Sequence, residues 1–225
     1  MATSQVSLSG YTKSDCWYLN RILYFAIENL LKVSIKMTPL KNLDSLSENQ
    51  AEAYIQTTFG RRFSAMEMKH IIAEVTSHKH LFNALVDHIM DENQAFNIGA
   101  PWVLSYAGVR KPDWFLNRLN DLIHHLKPNT HQSVYRAISR VLKYISIPED
   151  QVATVINICM HWIEDPKQSI AVKAFSLHTM AKFVSQVPEI CHELRFLIES
   201  MMPYASSGLK NAGQKVLQKI EKLGY

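Results

Sequence analysis

Residues 163–188 read IEDPKQSIAVKAFSLHTMAKFVSQVP: an acidic end, a proline turn, a helix-sized apolar segment without an acid, and a second proline. This is a helical hairpin seen from its middle, with a first helix closing at Ile163-Glu164, a turn at Asp165-Pro166, and a second helix expected over 168–185. Ala174 inside that second helix has counterparts at Ala100, Ala137 and Ala212, at successive intervals of 37, 37 and 38 residues. Prolines keep the same period. Pro128, Pro166 and Pro203 are 38 and 37 apart, and Pro112, Pro148 and Pro188 interleave with them at 36 and 40. Self-similarity at this period, with two helix-sized segments per unit, predicts a stack of helical hairpins.

Outward from that hairpin, apolar residues recur at helical spacing. Leu81, Leu85, Val86 and Ile89 form one stripe, Phe115, Leu116, Leu119, Leu122 and Ile123 another, and Val152, Val155, Ile156, Cys159 and Ile163 a third. No strand-like alternation competes with them. The expected pairs are 79–90 with 94–108, 113–126 with 130–145, 149–164 with 168–185, and 189–202 with 208–223, preceded by a fainter half-repeat from Ser64 to Val75. Pro112 and Pro148 are each followed by acids, which suits a helix N-terminus. Asn129 and Ser207 are the expected caps of their second helices. The periodic alanines all fall in second helices, where a small side chain lets neighbouring helices approach.

Composition sets wide bounds. The chain has 225 residues, 47% of them hydrophobic, 20% charged and only 7 glycines, which provides for a continuous core and argues against disordered or fibrous classes. Cys16, Cys159 and Cys191 are an odd set without CxxC spacing, so neither a disulfide framework nor a zinc knuckle is expected, and a reducing cytoplasm fits best. The apolar stretch Trp17 to Ile35 is interrupted by Asn20, Arg21, Glu28, Asn29 and Lys32, too polar to span a membrane, and reads as one amphipathic helix. The expected organisation is an N-terminal extension over 1–46 and a repeat domain over 47–225. The extension could also touch a membrane surface, or precede a natural start at Met37.

Paired helices of this length with proline turns and an Asp165-Pro166 start resemble HEAT-like repeats. A closer likeness runs from about His80 to Ile220. Ile163 to Pro166, Ile170 to Phe175, Pro188-Glu189, and Pro203 with Ala205 to Lys210 are similar to a family of small bacterial HEAT-like proteins whose members sometimes carry an adenylosuccinate lyase label. A lyase of that superfamily carries a Gly-Ser-Ser-rich loop ending in Lys-Arg-Asn-Pro; here Ser206-Ser207-Gly208 opens a helix and no such sequence follows. The resemblance implies an all-α fold, a short right-handed α-solenoid of about four helix pairs plus N-terminal helices. It also implies that second helices line the concave surface.

The charges divide along the same period. From Leu122 to Pro148 there are four bases, Lys127, Arg136, Arg140 and Lys143, and no acid; from Pro166 to Pro188 there are Lys167, Lys173 and Lys182, again without an acid. Ala205 to Tyr225 carries four lysines against Glu221. First helices lean the other way, with Glu149, Asp150, Glu164 and Asp165 in one and Glu189, Glu193 and Glu199 against Arg195 in the next. Combined with the implied concave lining, this predicts a basic groove of Arg136, Arg140, Lys143, Lys173, Lys210 and Lys215. Arg136, Arg140 and Lys143 share one helix face by their spacing. Such a surface attracts an anionic macromolecule, protein ahead of nucleic acid. The alternative is a set of solvated faces balanced by acids on adjoining helices.

Candidate chemistry is sparse. His124 and His125 diverge on a helix, Cys159 and His161 likewise, and His161 with Asp165 lack a third ligand, so no metal site and no cofactor is expected. Cys191 beside His192 offers no nucleophile-base geometry. Trp102, Tyr106, Tyr135 and Tyr144 could bring rings near the basic stripe, but their apolar neighbours favour core packing. Trp114 and Trp162 are expected between repeats, and Pro101 is expected to bend its helix. The reading is a non-enzymatic binding or scaffold module. Its rival is a HEAT-like DNA-binding protein or alkylated-base DNA glycosylase, which would need an acid amid aromatics in the groove, and the second helices of pairs two and three have none.

Overall fold

The computed structural model is described over residues 47–92 and 97–225, and the described residues form helices without strands. In chain order these are α1 (Glu48–Phe59), α2 (Ala65–Ser77), α3 (Lys79–Met90), α4 (Gly99–Arg110), α5 (Pro112–Asn117), α6 (Leu119–His125), α7 (Gln132–Tyr144), α8 (Glu149–Glu164), α9 (Ile170–Phe183), α10 (Ile190–Met201) and α11 (Ser207–Lys222). The architecture is that of a HEAT-like helical solenoid. The amphipathic helix expected within 17–35 lies outside the described residues.

The expected half-repeat is a full pair. Ser47 and Ser64 open α1 and α2 with capping boxes, each side chain accepting from the N3 backbone while Gln50 or Glu67 reaches back to the cap N–H. Arg61 donates to Glu67 at 2.8 Å. Burial pushes the Glu67 carboxyl up, but the Ser64 N–H and Arg61 outweigh it and hold the group below its ordinary range. Tyr54 on α1 donates to Glu74 on α2, closing the hairpin, and its phenol is pushed well up by burial and by that carboxylate.

Elsewhere the pairs stand as expected, with local corrections. The first helix of the second pair is two segments, α5 and α6, broken at Arg118 (φ −110°, ψ 3°). The Arg118 side chain is held there by Asp87 on α3 at 2.6 Å and Asp121 at 2.8 Å. The caps are His131 and Ser206, one residue or two away from the expected Asn129 and Ser207; their side chains accept from Ser133 and Leu209. Pro101 does not bend a helix, because α4 begins at Gly99 and the proline falls in its first turn, where no intrahelical N–H bond is lost.

Second helices touch in unbroken succession, α2 to α4 to α7 to α9 to α11, while first helices pack α1 on α3, α3 on α6 and α8 on α10. Between the two layers runs a core including Phe82, Leu85, Leu104, Phe115, Ile138, Leu142, Trp162, Leu177 and Val216. Ala100, Ala137 and Ala212 are buried at the spacing positions, and Ala174 is only partly so. Gly108 does the same work between α4 and α7: a Cβ there would meet Phe115 and Val141 at 3.0 Å. Trp162 is buried edge-on to Tyr135 of the preceding pair at 6.0 Å, and Trp114 lies edge-on to Phe82 of α3 at 5.8 Å.

Candidate interaction face on the second helices

Each second helix buries one face and leaves a ridge outward, so its polar residues sort by angular position. In α7 the buried side chains are Val134, Tyr135, Ala137, Ile138, Ser139, Val141 and Leu142. Arg136 and Tyr144 are exposed, and Arg140 and Lys143 half-buried beside them. On α4, Trp102 and Tyr106 stand at i, i+4 and are 51% and 37% exposed. Core packing was the expectation for these rings, and it holds only for Tyr135, which donates its hydroxyl to the Lys127 carbonyl at 2.9 Å. The exposed rings lie among apolar neighbours in sequence because each helical turn has one side on the core and the other on solvent.

Rings and cations interlock across the helices. The Arg140 guanidinium lies over Tyr106 of α4 at 4.3 Å from the ring centroid and over Tyr144 at 5.2 Å, and its Nη1 donates to the Ser105 carbonyl at 2.5 Å. The Lys143 ammonium lies 4.9 Å from Tyr144 and 5.3 Å from Phe175 of α9. His178, one turn beyond Phe175, has its pKa lowered by burial and then by the charges of Lys143 and Lys215. Both charges therefore act on one half-buried imidazole of α9, Lys143 from α7 and Lys215 from α11. No acid occurs in α4, α7 or α9.

The six expected basic residues therefore part company. Arg140 and Lys143 lie together on α7, with Arg136 one turn before Arg140 and exposed, while Lys215 is exposed on α11, two second helices further on. Lys210 is five residues from Lys215, about 140° around the helix, and faces elsewhere. Lys173 turns back within its own hairpin and donates to the Ile163 carbonyl at the end of α8, at 2.9 Å. Burial lowers its pKa against the pull of Asp165.

Sequence reasoning missed a second set of cations with a related task. Lys182 of α9 donates to the carbonyls of Leu142 and Ile145 at 2.8 and 2.7 Å, closing the C-terminus of α7, and Lys219 of α11 donates to the Ala181 carbonyl of α9. Both meet carbonyls left over at helix ends, where the dipole is negative. The signal was present: Lys182 and Lys219 are 37 residues apart, one repeat.

The remaining candidates carry no assembled chemistry. Burial pushes the Cys159 thiol up to about 12, leaving it protonated at neutral pH; Cys191 is also raised, by burial and Glu189. The Asp165 carboxylate accepts from the Lys167 N–H at 2.9 Å and from Gln168, shaping the turn into α9. Among the described residues no group of three or more His, Cys, Asp or Glu side chains could hold a metal ion, and no helix is long and apolar enough to cross a membrane.

No curated protein and no solved structure matches the chain. The family model for the HEAT repeat domain matches residues 55–220, which spans the helices from α1 to α11 and all the rings and cations of this face. With that match covering most of its length, the chain belongs to the HEAT repeat domain family.

Proposed function

We propose that this protein is a non-enzymatic scaffold that engages an anionic macromolecule, protein ahead of nucleic acid, through the outward ridges of α4, α7, α9 and α11. One observation carries the reading: Arg140 and Lys143 of α7 lie against rings of α4 and α9, and none of these three helices contains an acid, so their charges add rather than cancel. Lys173 leaves the proposed set, since its charge is engaged at the end of α8, and Arg136, Arg140, Lys143 and Lys215 are its working members, with Lys210 peripheral.

The absence of an acid beside the exposed rings of these helices argues against base excision, and the high thiol pKa of Cys159 against nucleophilic catalysis. Two buried free thiols, Cys159 and Cys191, fit a cytoplasmic protein. The likeness of Asp165-Pro166 and its surroundings to small bacterial HEAT-like proteins supports a bacterial source.

Fluorescence polarisation of labelled polyglutamate and of duplex DNA against the protein, across a salt series, tests the reading. Binding of at least one polyanion at low salt, weakening as salt rises and lost in an Arg136→Glu/Lys143→Glu variant that still folds, is the expected result. Failure of the wild type to bind either at low salt removes the proposal.

A further inference from the structure

The outer side of α4 is apolar. Of the residues from Gly99 to Arg110 only Trp102, Tyr106 and the terminal Arg110 are exposed, and Ile98 at the N-cap is exposed as well. Ile98, Trp102 and Tyr106 stand at i, i+4 and i+8, one stripe of large side chains about 12 Å long. A helix that is apolar all round is ordinarily covered on every side. Among the described residues nothing covers Ile98 or Trp102, which are 61% and 51% exposed.

The neighbouring ridge, on α7, is cationic. Arg136, Arg140 and Tyr144 repeat the i, i+4, i+8 spacing, and α7 runs in the same direction as α4, one hairpin on. The contact of Arg140 with the Tyr106 ring, at 4.3 Å, and its bond to the Ser105 carbonyl, at 2.5 Å, fix the register: Arg140 is level with Tyr106, and Arg136, one turn earlier, with Trp102. That bond takes one of the guanidinium N–H groups, and no acid in α4, α7 or α9 takes the rest. The two ridges therefore bound a groove with one apolar edge and one cationic edge.

What fits such a groove must carry both chemistries on one surface. A nucleic acid brings phosphates to Arg136 and Arg140 but leaves the Ile98 stripe uncovered. A helix laid along α4 offers an apolar side chain every four residues, about 6 Å apart, which is the spacing of the stripe. An extended segment repeats its same-face side chains at about 6.8 Å and falls out of step by about 1.5 Å over the same length. We infer that the groove between α4 and α7 takes an amphipathic helix of a partner protein, with its apolar stripe on Ile98, Trp102 and Tyr106 and flanking carboxylates on Arg136 and Arg140. This rests on the anionic-partner reading above and names the partner's chemistry.

The test uses the full chain and a fluorescein-labelled peptide of about twenty residues, long enough to be helical, with Leu at i, i+4, i+7 and i+11, Glu along one flank of that stripe, and Ala and Gln elsewhere. A scramble of the same composition, a Gln-for-Glu counterpart, polyglutamate, duplex DNA and phosphatidylserine-containing vesicles are run beside it. The amphipathic peptide is expected to bind, the scramble roughly tenfold or more weakly, and the Gln counterpart several-fold more weakly and with less dependence on salt. Trp102→Ala should weaken the amphipathic peptide roughly tenfold and leave polyglutamate unchanged, whereas Arg136→Gln should weaken both. Both side chains are exposed, so the variants should keep the melting temperature of the wild type. Equal binding of peptide and scramble, or binding that ignores Trp102→Ala, overturns the inference while leaving the anionic-partner reading standing. Preferred binding of the duplex or of the vesicles over the peptide does the same. If nothing anionic binds at low salt, the amphipathic peptide included, both fall.

Discussion

Two regions of the same helices use lysine in opposite ways. In their last turns, Lys182 and Lys219 reach across to the carbonyl ends of the preceding second helix; Lys143, in the last turn of α7, lies instead over Tyr144 and Phe175, and Lys215, in the middle of α11, is exposed. Residue type and helix are shared, and the partner differs. Lys182 and Lys219 meet unpaired carbonyls and become part of the packing, whereas Lys143 meets rings and Lys215 stays exposed. Net charge per helix, which is blind to this, overstates the groove by counting carbonyl-bound lysines with the rest.

The comparison breaks first at Gly108, on which both regions depend. Its missing side chain lets α7 come close enough to α4 for Arg140 to reach Ser105 and Tyr106. Gly108→Leu should cost up to about 3 kcal/mol by overpacking against Phe115 and Val141, read in urea denaturation, and should weaken anion binding as well. A stable Gly108→Leu variant with intact binding would detach binding from helix spacing.

Next come the carbonyl-bound lysines. Lys182→Met should cost roughly 2–3 kcal/mol, because it strands two carbonyls that accept from an ammonium, and Lys219→Met roughly 1–2 kcal/mol for one. Neither should change polyanion affinity beyond its effect on the folded fraction. The exposed lysine is the mirror image: Lys215→Gln should leave stability within about 0.5 kcal/mol while weakening binding. If Lys182→Met costs no more than Lys215→Gln, the distinction between carbonyl-bound and exposed lysines disappears.

The smallest effect is a pH dependence. Burial and the charges of Lys143 and Lys215 lower the folded-state pKa of His178. The unfolded chain then takes up a proton first, so this residue's contribution is intact above about pH 6.5 and is lost as pH falls through the lowered folded value. The melting temperature of the wild type, compared with His178→Gln, should therefore fall further as the buffer is taken from about pH 7.5 to about pH 5.5. Adding Lys215→Gln to the wild type should shrink that fall. A fall as large with Lys215→Gln as without it would mean that the Lys215 charge does not act on His178.

Much of the fold was legible because its causes are local or periodic. The Pro112 and Pro148 starts, the apolar stripes and the 37-residue spacing of Ala100 and Ala137 each act within one or two helices, and α7, α8, α9 and α11 lie within about two residues of their expected spans. The first pair was only half seen: α1 has weak amphipathic spacing and is recognised by the Ser47–Gln50 capping box more than by its apolar face. The break at Arg118 was invisible for a different reason. It is held by Asp87, thirty-one residues back in the chain, and no local rule couples the two.

The sequence by itself determined the hairpin period, the core stripes, the small residues at the spacing positions and the segregation of acids from bases, since these depend on which residues recur in each turn of helix. The tertiary structure decided which cations remain available. That choice depends on whether a neighbouring helix presents a carbonyl end, as at Leu142, Ile145, Ile163 and Ala181, or a ring, as at Tyr106 and Phe175. A repeated lysine has the same helical propensity and the same charge in either place. Only the packing of one helix against the next supplies the partner that turns it into a cap or leaves it as a contact.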